Sequence, residues 1–400
     1  MAKQTSKKAP RKKSPRKKAP KAVELDRPAI PPVPPPIPIG RVLGQRRAIE
    51  SLDRALASDR LHHAFIFHGP RGVGKLTTAL AFAAILLDPD AETDLAGSVR
   101  APELSRTAEL LAGGSHPDLH VVRRQLASVS SDEQVRRRMQ TNIPIEVVRE
   151  FLVEPASRTA ARPAGSGARA GQVFIVDEAE LLANAAQDTL LKTLEEPGPG
   201  TVLILITQSE HELQPTIRSR CQRLAFGPLE AETLLSWAKD ADLDLGHLGD
   251  KDRDWLLAYA DGSPGVLASA IEAGLDRWPA MLRPILTGIA RGTPDPLAGP
   301  ELAKLASAAA EARVAGARNA SKASANRAVM DELVAFIGAW LRGAMGFAAD
   351  RGSPGTAPWS RAIAALDEVH RLMDSNVNVS WVAESIVVQL AEAFRAHATA

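Results

Sequence analysis

The 400 residues hold a single cysteine, Cys221. One thiol can build neither a disulfide framework nor a multi-cysteine zinc site, so a stapled secreted scaffold is excluded and a reducing cytoplasm is the expected location. Aromatic residues are scarce, at 4% of the chain. The cores must then be aliphatic and Ala-rich, which favours helices over β-sandwiches. No stretch reaches about 18 uninterrupted apolar residues, so no membrane span is expected. The N-terminus lacks the apolar core of a secretory signal.

Acid is missing from one end of the chain. Residues 1–22 (MAKQTSKKAPRKKSPRKKAPKA) hold ten of the 49 Lys and Arg and no Asp or Glu. That leaves 39 basic against 47 acidic residues in the remainder, which is therefore mildly acidic. Overall charge does not imply a globular DNA-binding face. The tail cannot bury a core and is expected to be disordered. It can serve as a solubility aid or make weak, sequence-independent contact with DNA phosphates. Residues 28–38 (PAIPPVPPPIP) are expected to form a semi-rigid polyproline II spacer.

Ordered structure is expected from Ile39. Residues 46–59 have helical apolar spacing, and AFIFHG (64–69) reads as a buried strand. Residues 75–87 (KLTTALAFAAILL) predict a strongly apolar helix. The stretch 89–142 is polar, with helical pieces and weak organisation. A helix follows at 143–155, then a surface loop at 157–171. VFIVDEAE (173–180) is a second buried strand ending in acids, 181–197 a helix stopped at Pro197, and TVLILIT (201–207) a third buried strand. Apolar strands separated by helices imply a parallel sheet covered on both faces. From about 228 onward the spacing is almost wholly helical.

GPRGVGKLT (69–77) follows a predicted strand and opens a predicted helix, the context that gives a phosphate-binding P-loop its meaning. Gly69, Gly72 and Gly74 would let the backbone approach a phosphate, with Arg71, Val73 and the helix N-terminus around it. Lys75 would reach the β- and γ-phosphates. The motif has a defect. A Ser or Thr should follow the lysine, because its hydroxyl binds Mg²⁺. Leu76 stands there instead, and Thr77 lies about 100° further round the helix. Nucleotide binding is compatible with this, but hydrolysis by this chain is compromised.

Asp177 and Glu178 end the second buried strand, where a Walker B pair would hold Mg²⁺ through water and polarise the attacking water. Two solvent-facing acids at a strand end are the plainer alternative. Thr207 ends the third strand, in the place of a polar sensor of the γ-phosphate.

Several segments together resemble the AAA+ clamp-loader family of bacterial DNA polymerase III. They are VLGQ (42–45), LHHAFIFHGPRGVGK (61–75), GSHPDLHVV (114–122), VFIVDEAELLANAAQDTLLKTLEEPGPGTVLILIT (173–207) and PTIRSRCQRLAF (215–226). NVNVSWVAESIVVQL (376–390) resembles the family's C-terminal collar. The resemblance implies an α/β fold: a RecA-like AAA+ domain at 39–227 with a parallel sheet, a helical lid at 228–277 and an all-α collar for oligomerisation at 278–400, after the 1–38 tail. It implies that Arg220, in the triplet Ser219-Arg220-Cys221, is an arginine finger reaching the ATP of an adjacent subunit. A surface Arg paired with some carboxylate is the alternative from the triplet alone. The resemblance also implies ATP or ADP and Mg²⁺ as possible cofactors. Its partners would be gamma/tau-type and delta-type subunits, the sliding clamp and, through the complex, primer-template DNA. Many relatives carry a four-cysteine zinc module after the P-loop helix; residues 88–115 contain no cysteine, so no zinc is expected.

Within that family three features resemble a stator subunit of the polymerase holoenzyme with weak or absent ATPase activity of its own. They are Leu76, the lid sequence GSPGV (262–266) where an active subunit would carry a sensor Arg near Gly265 or Val266, and the lack of the long motor extension. A gamma/tau-type ATP-hydrolysing motor and a nucleotide-free scaffold are the rival readings.

Overall fold

The computed structural model describes residues 32–395 apart from 59–60, 95–96, 138–140, 159–166, 317–321, 351–355 and 374–377. The basic tail and residues 28–31 of the Pro-rich spacer lie outside the described residues.

A 3₁₀ turn at Ile39–Arg41 leads into α1 (Arg46–Ala57), β1 (Ala64–His68) and α2 (Lys75–Leu87). A small hairpin of β2 (Glu92–Thr93) and β3 (Val99–Arg100) precedes α3 (Arg106–Ala112), β4 (Leu119–Val122) and α4 (Glu133–Arg137). Next, α5 (Ile145–Val148) and α6 (Glu154–Ala156) are joined by a π turn at Arg149–Val153. The α/β part is completed by β5 (Gln172–Val176), α7 (Asn184–Glu195), β6 (Thr201–Thr207), α8 (Pro215–Arg218) and β7 (Gln222–Ala225). The helices that follow are α9 (Ala231–Asp240), α10 (Asp250–Ala260), α11 (Pro264–Glu272), α12 (Trp278–Ala290), α13 (Ala298–Gly316), α14 (Lys322–Asp350), α15 (Ala357–Leu372) and α16 (Val379–Arg395).

Five strands form one parallel sheet in the order β4-β5-β6-β1-β7. Its inner strands β5, β6 and β1 are almost wholly buried because both faces are covered. The two-residue period survives in where the side chains go. Phe65 and Phe67 of β1 pack with Val173, Ile175, Ile204 and the buried side of α2. Ala64 and Ile66, between them, pack on the other face with Phe174, Leu203, Leu205 and Leu190 of α7. Each such side chain contributes about 1.5–3 kcal/mol on leaving water.

The three strands expected from apolar runs are β1, β5 and β6; the sheet adds two more at its edges. β4 falls inside the stretch 89–142 that the sequence presents as weakly organised, and β7 follows α8. Both are short, and of their residues only Val122 and Leu224 are fully buried. An edge strand with one wet side carries no continuous apolar run, which is why pattern alone passes over it.

Beyond β7 the core is a single continuous apolar cluster running from Leu229 to Phe394. It passes without a break through position 277/278, where the resemblance implies a boundary between lid and collar. Trp255 of α10 packs on Phe336 of α14 with ring centroids 5.1 Å apart, and its Nε1 donates to Phe336 O at 2.8 Å. Lys322–Ala349 within α14 is long and apolar enough to cross a membrane by length and composition. Its Val329, Leu333, Phe336, Ile337 and Leu341 are instead buried in this cluster.

Candidate functional site

Because the sheet is parallel, the loops after β1, β5 and β6 all emerge at the same end. There they surround a cavity of about 710 Å³. Arg71, Gly72, Val73, Gly74, Lys75, Leu76 and Thr77 line it from the first loop, Asp177 and Glu178 from the second, and Thr207 from the third. Trp237 of α9, Tyr259 of α10 and Gly265 and Val266 of α11 add to the lining, as does Glu332 of α14. The sequence-predicted cavity residues thus converge, while Gly69 stands behind the loop as a carbonyl acceptor.

The loop after β1 is held from three sides. Gly74 caps α2 in the left-handed region, φ 99°, and a side chain there would meet nothing within 4 Å. The helix N-terminus therefore opens on free space, an arrangement suited to an anion. Gly72, φ 75°, is closed off by the start of α11: a Cβ would lie 2.4 Å from Ser263 Oγ and 3.1 Å from Gly265 Cα. Ser263 Oγ donates to Arg71 O at 2.8 Å, and Gly265 N donates to Gly72 O at 3.0 Å. On the third side Gln45, 3% exposed, donates through Nε2 to Val73 O at 3.1 Å and to Gly227 O at 2.8 Å. Gly227 N donates back to Gln45 Oε1 at 3.1 Å.

Lys75 is buried and folded onto its own loop. Its Nζ donates to Gly69 O and Pro70 O, both at 2.6 Å. Burial lowers its pKa from the ordinary value, with Glu180 and Asp177 pulling it back up. Burial raises that of Asp177, assisted by the charge of Glu178, while the Glu178 N–H at 3.1 Å from Oδ1 works the other way. Glu178 sits in the left-handed region, φ 56°, and pairs through Oε2 with Arg124 Nε at 3.1 Å. Thr207 Oγ1 donates to Ser209 O at 2.9 Å. Glu180 Oε1 accepts from Gln208 Nε2 at 3.1 Å.

The chemistry on offer is uneven. Open backbone at Gly74, a helix N-terminus and a buried lysine suit a phosphate. At the position after the lysine Leu76 offers no oxygen, while Asp177 and Glu178 line the cavity.

Arg220 is not part of the cavity. It lies just before β7, whose Gln222 is level with Phe65 at the start of β1. The loop at Gly69 leaves the other end of that strand, about 13 Å away along the strand direction. The Arg220 side chain is 38% exposed; its Nη2 pairs with Glu195 Oε1 at 2.7 Å and its Nη1 donates to Thr216 O at 3.0 Å. Cys221 next to it is buried, and burial pushes its thiol up to about 12.

Comparison with known proteins bears on the same region. Residues 44–230 match the family described as "DNA polymerase III, delta subunit". That span holds all five strands of the sheet, the cavity loops and Arg220. Residues 44–230 are therefore similar to subunits of DNA polymerase III. DNA polymerase III subunit delta′ of Bacillus subtilis is 31% identical over 190 residues, 48% of this chain and 50% of that protein. The delta′ subunit of Pseudomonas aeruginosa is 32% identical over 206 residues, 50% of this chain and 53% of that protein. The tau subunit of Bacillus subtilis is 27% identical over 234 residues, 58% of this chain and 35% of that protein. The chain thus spans about half the length of the delta′ relatives and about a third of tau. A gamma subunit-related protein of Thermotoga maritima aligns at 16% identity and a TM-score of 0.41 over 87% of this chain and 100% of that one.

Five residues around these sites escape sequence reading. Gln45, Arg124, Glu180, Glu195 and Ser263 act through partners 28 to 192 residues away in the chain in the case of Gln45, Glu180 and Ser263. Gln45 lies in VLGQ, Glu195 in TLEEP and Ser263 in GSPGV, so their segments stand out without their contacts being evident.

Proposed function

We propose that this chain is the delta-prime, or stator, subunit of a DNA polymerase III clamp loader. It helps place the sliding clamp on primer-template DNA alongside gamma/tau-type and delta-type subunits, and presents Arg220 to the ATP of a neighbour. The observation that carries the reading is the position of Arg220 at the opposite end of the sheet from the chain's own cavity. That position supports a role toward a nucleotide held by another subunit, and an arginine delivered in trans stabilises charge developing in phosphoryl transfer.

Three features support a weak or absent turnover at the chain's own loop. Leu76 replaces the hydroxyl, Gly265 and Val266 stand where a sensor Arg would be, and Glu178 is tied to Arg124. ATP or ADP held in the cavity would rest on the backbone of 72–77, with Lys75 released from Gly69 and Pro70 to meet its phosphates. The 39–227, 228–277 and 278–400 segments would act as base, lid and collar. The rival reading, a gamma/tau-type motor, is favoured by the size of the cavity and the match to tau.

The test is Arg220→Ala in an assembly reconstituted with ATP-hydrolysing subunits. The variant is expected to fold and assemble while turnover at the site it faces falls on the order of 10³-fold. DNA-stimulated turnover equal to that of the unmodified assembly would contradict the reading.

A further inference from the structure

The guanidinium of Arg220 is anchored by two elements. Glu195 Oε1 at the C-terminal end of α7 lies 2.7 Å from Nη2, and the carbonyl of Thr216 on α8 lies 3.0 Å from Nη1. A side chain of five N–H donors keeps others free for a further oxygen acceptor.

Topology explains why a carboxylate stands there. The loop bearing Asp177 and Glu178 leaves the cavity end of the sheet, and α7 then runs back along the sheet for 12 residues, about 18 Å. Its last turn is fixed beside the start of β1, where His63 Nε2 lies 3.0 Å from Leu194 O. Pro197 follows and prevents further helix. Glu195 is thereby set at the same end of the sheet as Arg220, on a rigid element rather than on a loop.

Stability does not account for the pair. Both side chains are well exposed, at 38% and 51%, and ion pairs of that kind contribute little to folding. Geometry does account for it. A lone exposed arginine samples many rotamers, and ordering it on contact with phosphate costs free energy; one already held by a carboxylate and a carbonyl meets its target prearranged.

We propose that Glu195 is the positioning residue for Arg220. It fixes the guanidinium in the free chain so that a neighbour's phosphate is met in one geometry. This rests on the reading of Arg220 as acting in trans.

The experiment measures DNA-stimulated ATP hydrolysis by the reconstituted assembly carrying Arg220→Ala, Glu195→Ala, Glu195→Gln or both alanines. Unfolding midpoints confirm that each variant chain is folded. Glu195→Ala is expected to lower kcat between about tenfold and a hundredfold, as misplacement of a charge-stabilising group does, with KM within about twofold. Glu195→Gln keeps an oxygen acceptor and should recover part of the loss. The double variant should be no slower than Arg220→Ala alone. If Arg220→Ala slows the assembly while Glu195→Ala matches the unmodified protein, Glu195 positions nothing and the trans reading still stands. A faster Glu195→Ala assembly means that the carboxylate restrains the arginine, which also overturns the proposal. If Arg220→Ala itself has no effect, the trans reading falls and this proposal with it.

Discussion

Burial sets the charge states around the cavity. Asp177 is a carboxylate taken out of water, and its pKa in the folded chain lies above the ordinary 3.8. A carboxyl group raised in this way adds stability when protonated and loses it as pH rises through its folded-state value. Asp177→Asn keeps an oxygen to accept the Glu178 N–H and removes the buried charge. The variant is therefore expected to unfold at higher denaturant than the unmodified chain at pH 7, with the gain shrinking as pH falls toward 3.8. A gain that is independent of pH would show that the charge is not its source. Gly72 presents the other residue-scale constraint. At φ 75°, with Ser263 Oγ 2.4 Å from a built Cβ, a side chain is strained by backbone and crowded by the start of α11 together. Gly72→Ala should cost about 1–3 kcal/mol in denaturant unfolding. A midpoint equal to that of the unmodified chain would mean that the start of α11 does not hold the loop as described.

The elements divide by how much of their surface is covered. β1, β5 and β6 lie inside the sheet, and α2 is buried on nearly every side, so all four announce themselves as apolar runs of strand or helix length. β4 and β7 do not, because an edge strand needs only half of its side chains to be apolar. That the 69–77 loop, the acid pair and Thr207 lie at strand ends is legible for a similar reason: short motifs tied to strand ends carry their own placement. What lies outside that signal is pairing across the fold. Nothing in the string says that Ser263 reaches Arg71 or that Glu195 meets Arg220, since each contact depends on where two distant elements come to rest. The helical part shows the same limit. Its spacing predicts helices from 228 onward, but not that Trp255 of α10 is enclosed by Phe336 of α14 and bonded to its carbonyl. Trp255→Ala is expected to cost about 3–5 kcal/mol and, because the apolar cluster is continuous, to lower the unfolding midpoint of α9–α11 and of α12–α16 together. Separate transitions for the two would contradict a shared core.

At the scale of the whole molecule, the parallel sheet has two working ends. One gathers the cavity, with a lysine turned onto its own loop and a leucine where a metal-binding hydroxyl is expected. The other carries Arg220, exposed and anchored, on the far side from any phosphate this chain could hold. Under the proposed function, a chain so built would complete a neighbour's site more than its own. ATP turnover measured for the purified chain and for the assembly, with and without Arg220→Ala, tests this most directly. The account predicts no steady turnover by the chain alone, turnover by the assembly, and a marked fall on Arg220→Ala. Turnover by the chain alone that is abolished by Lys75→Ala, together with an Arg220→Ala assembly as active as the unmodified one, would contradict it.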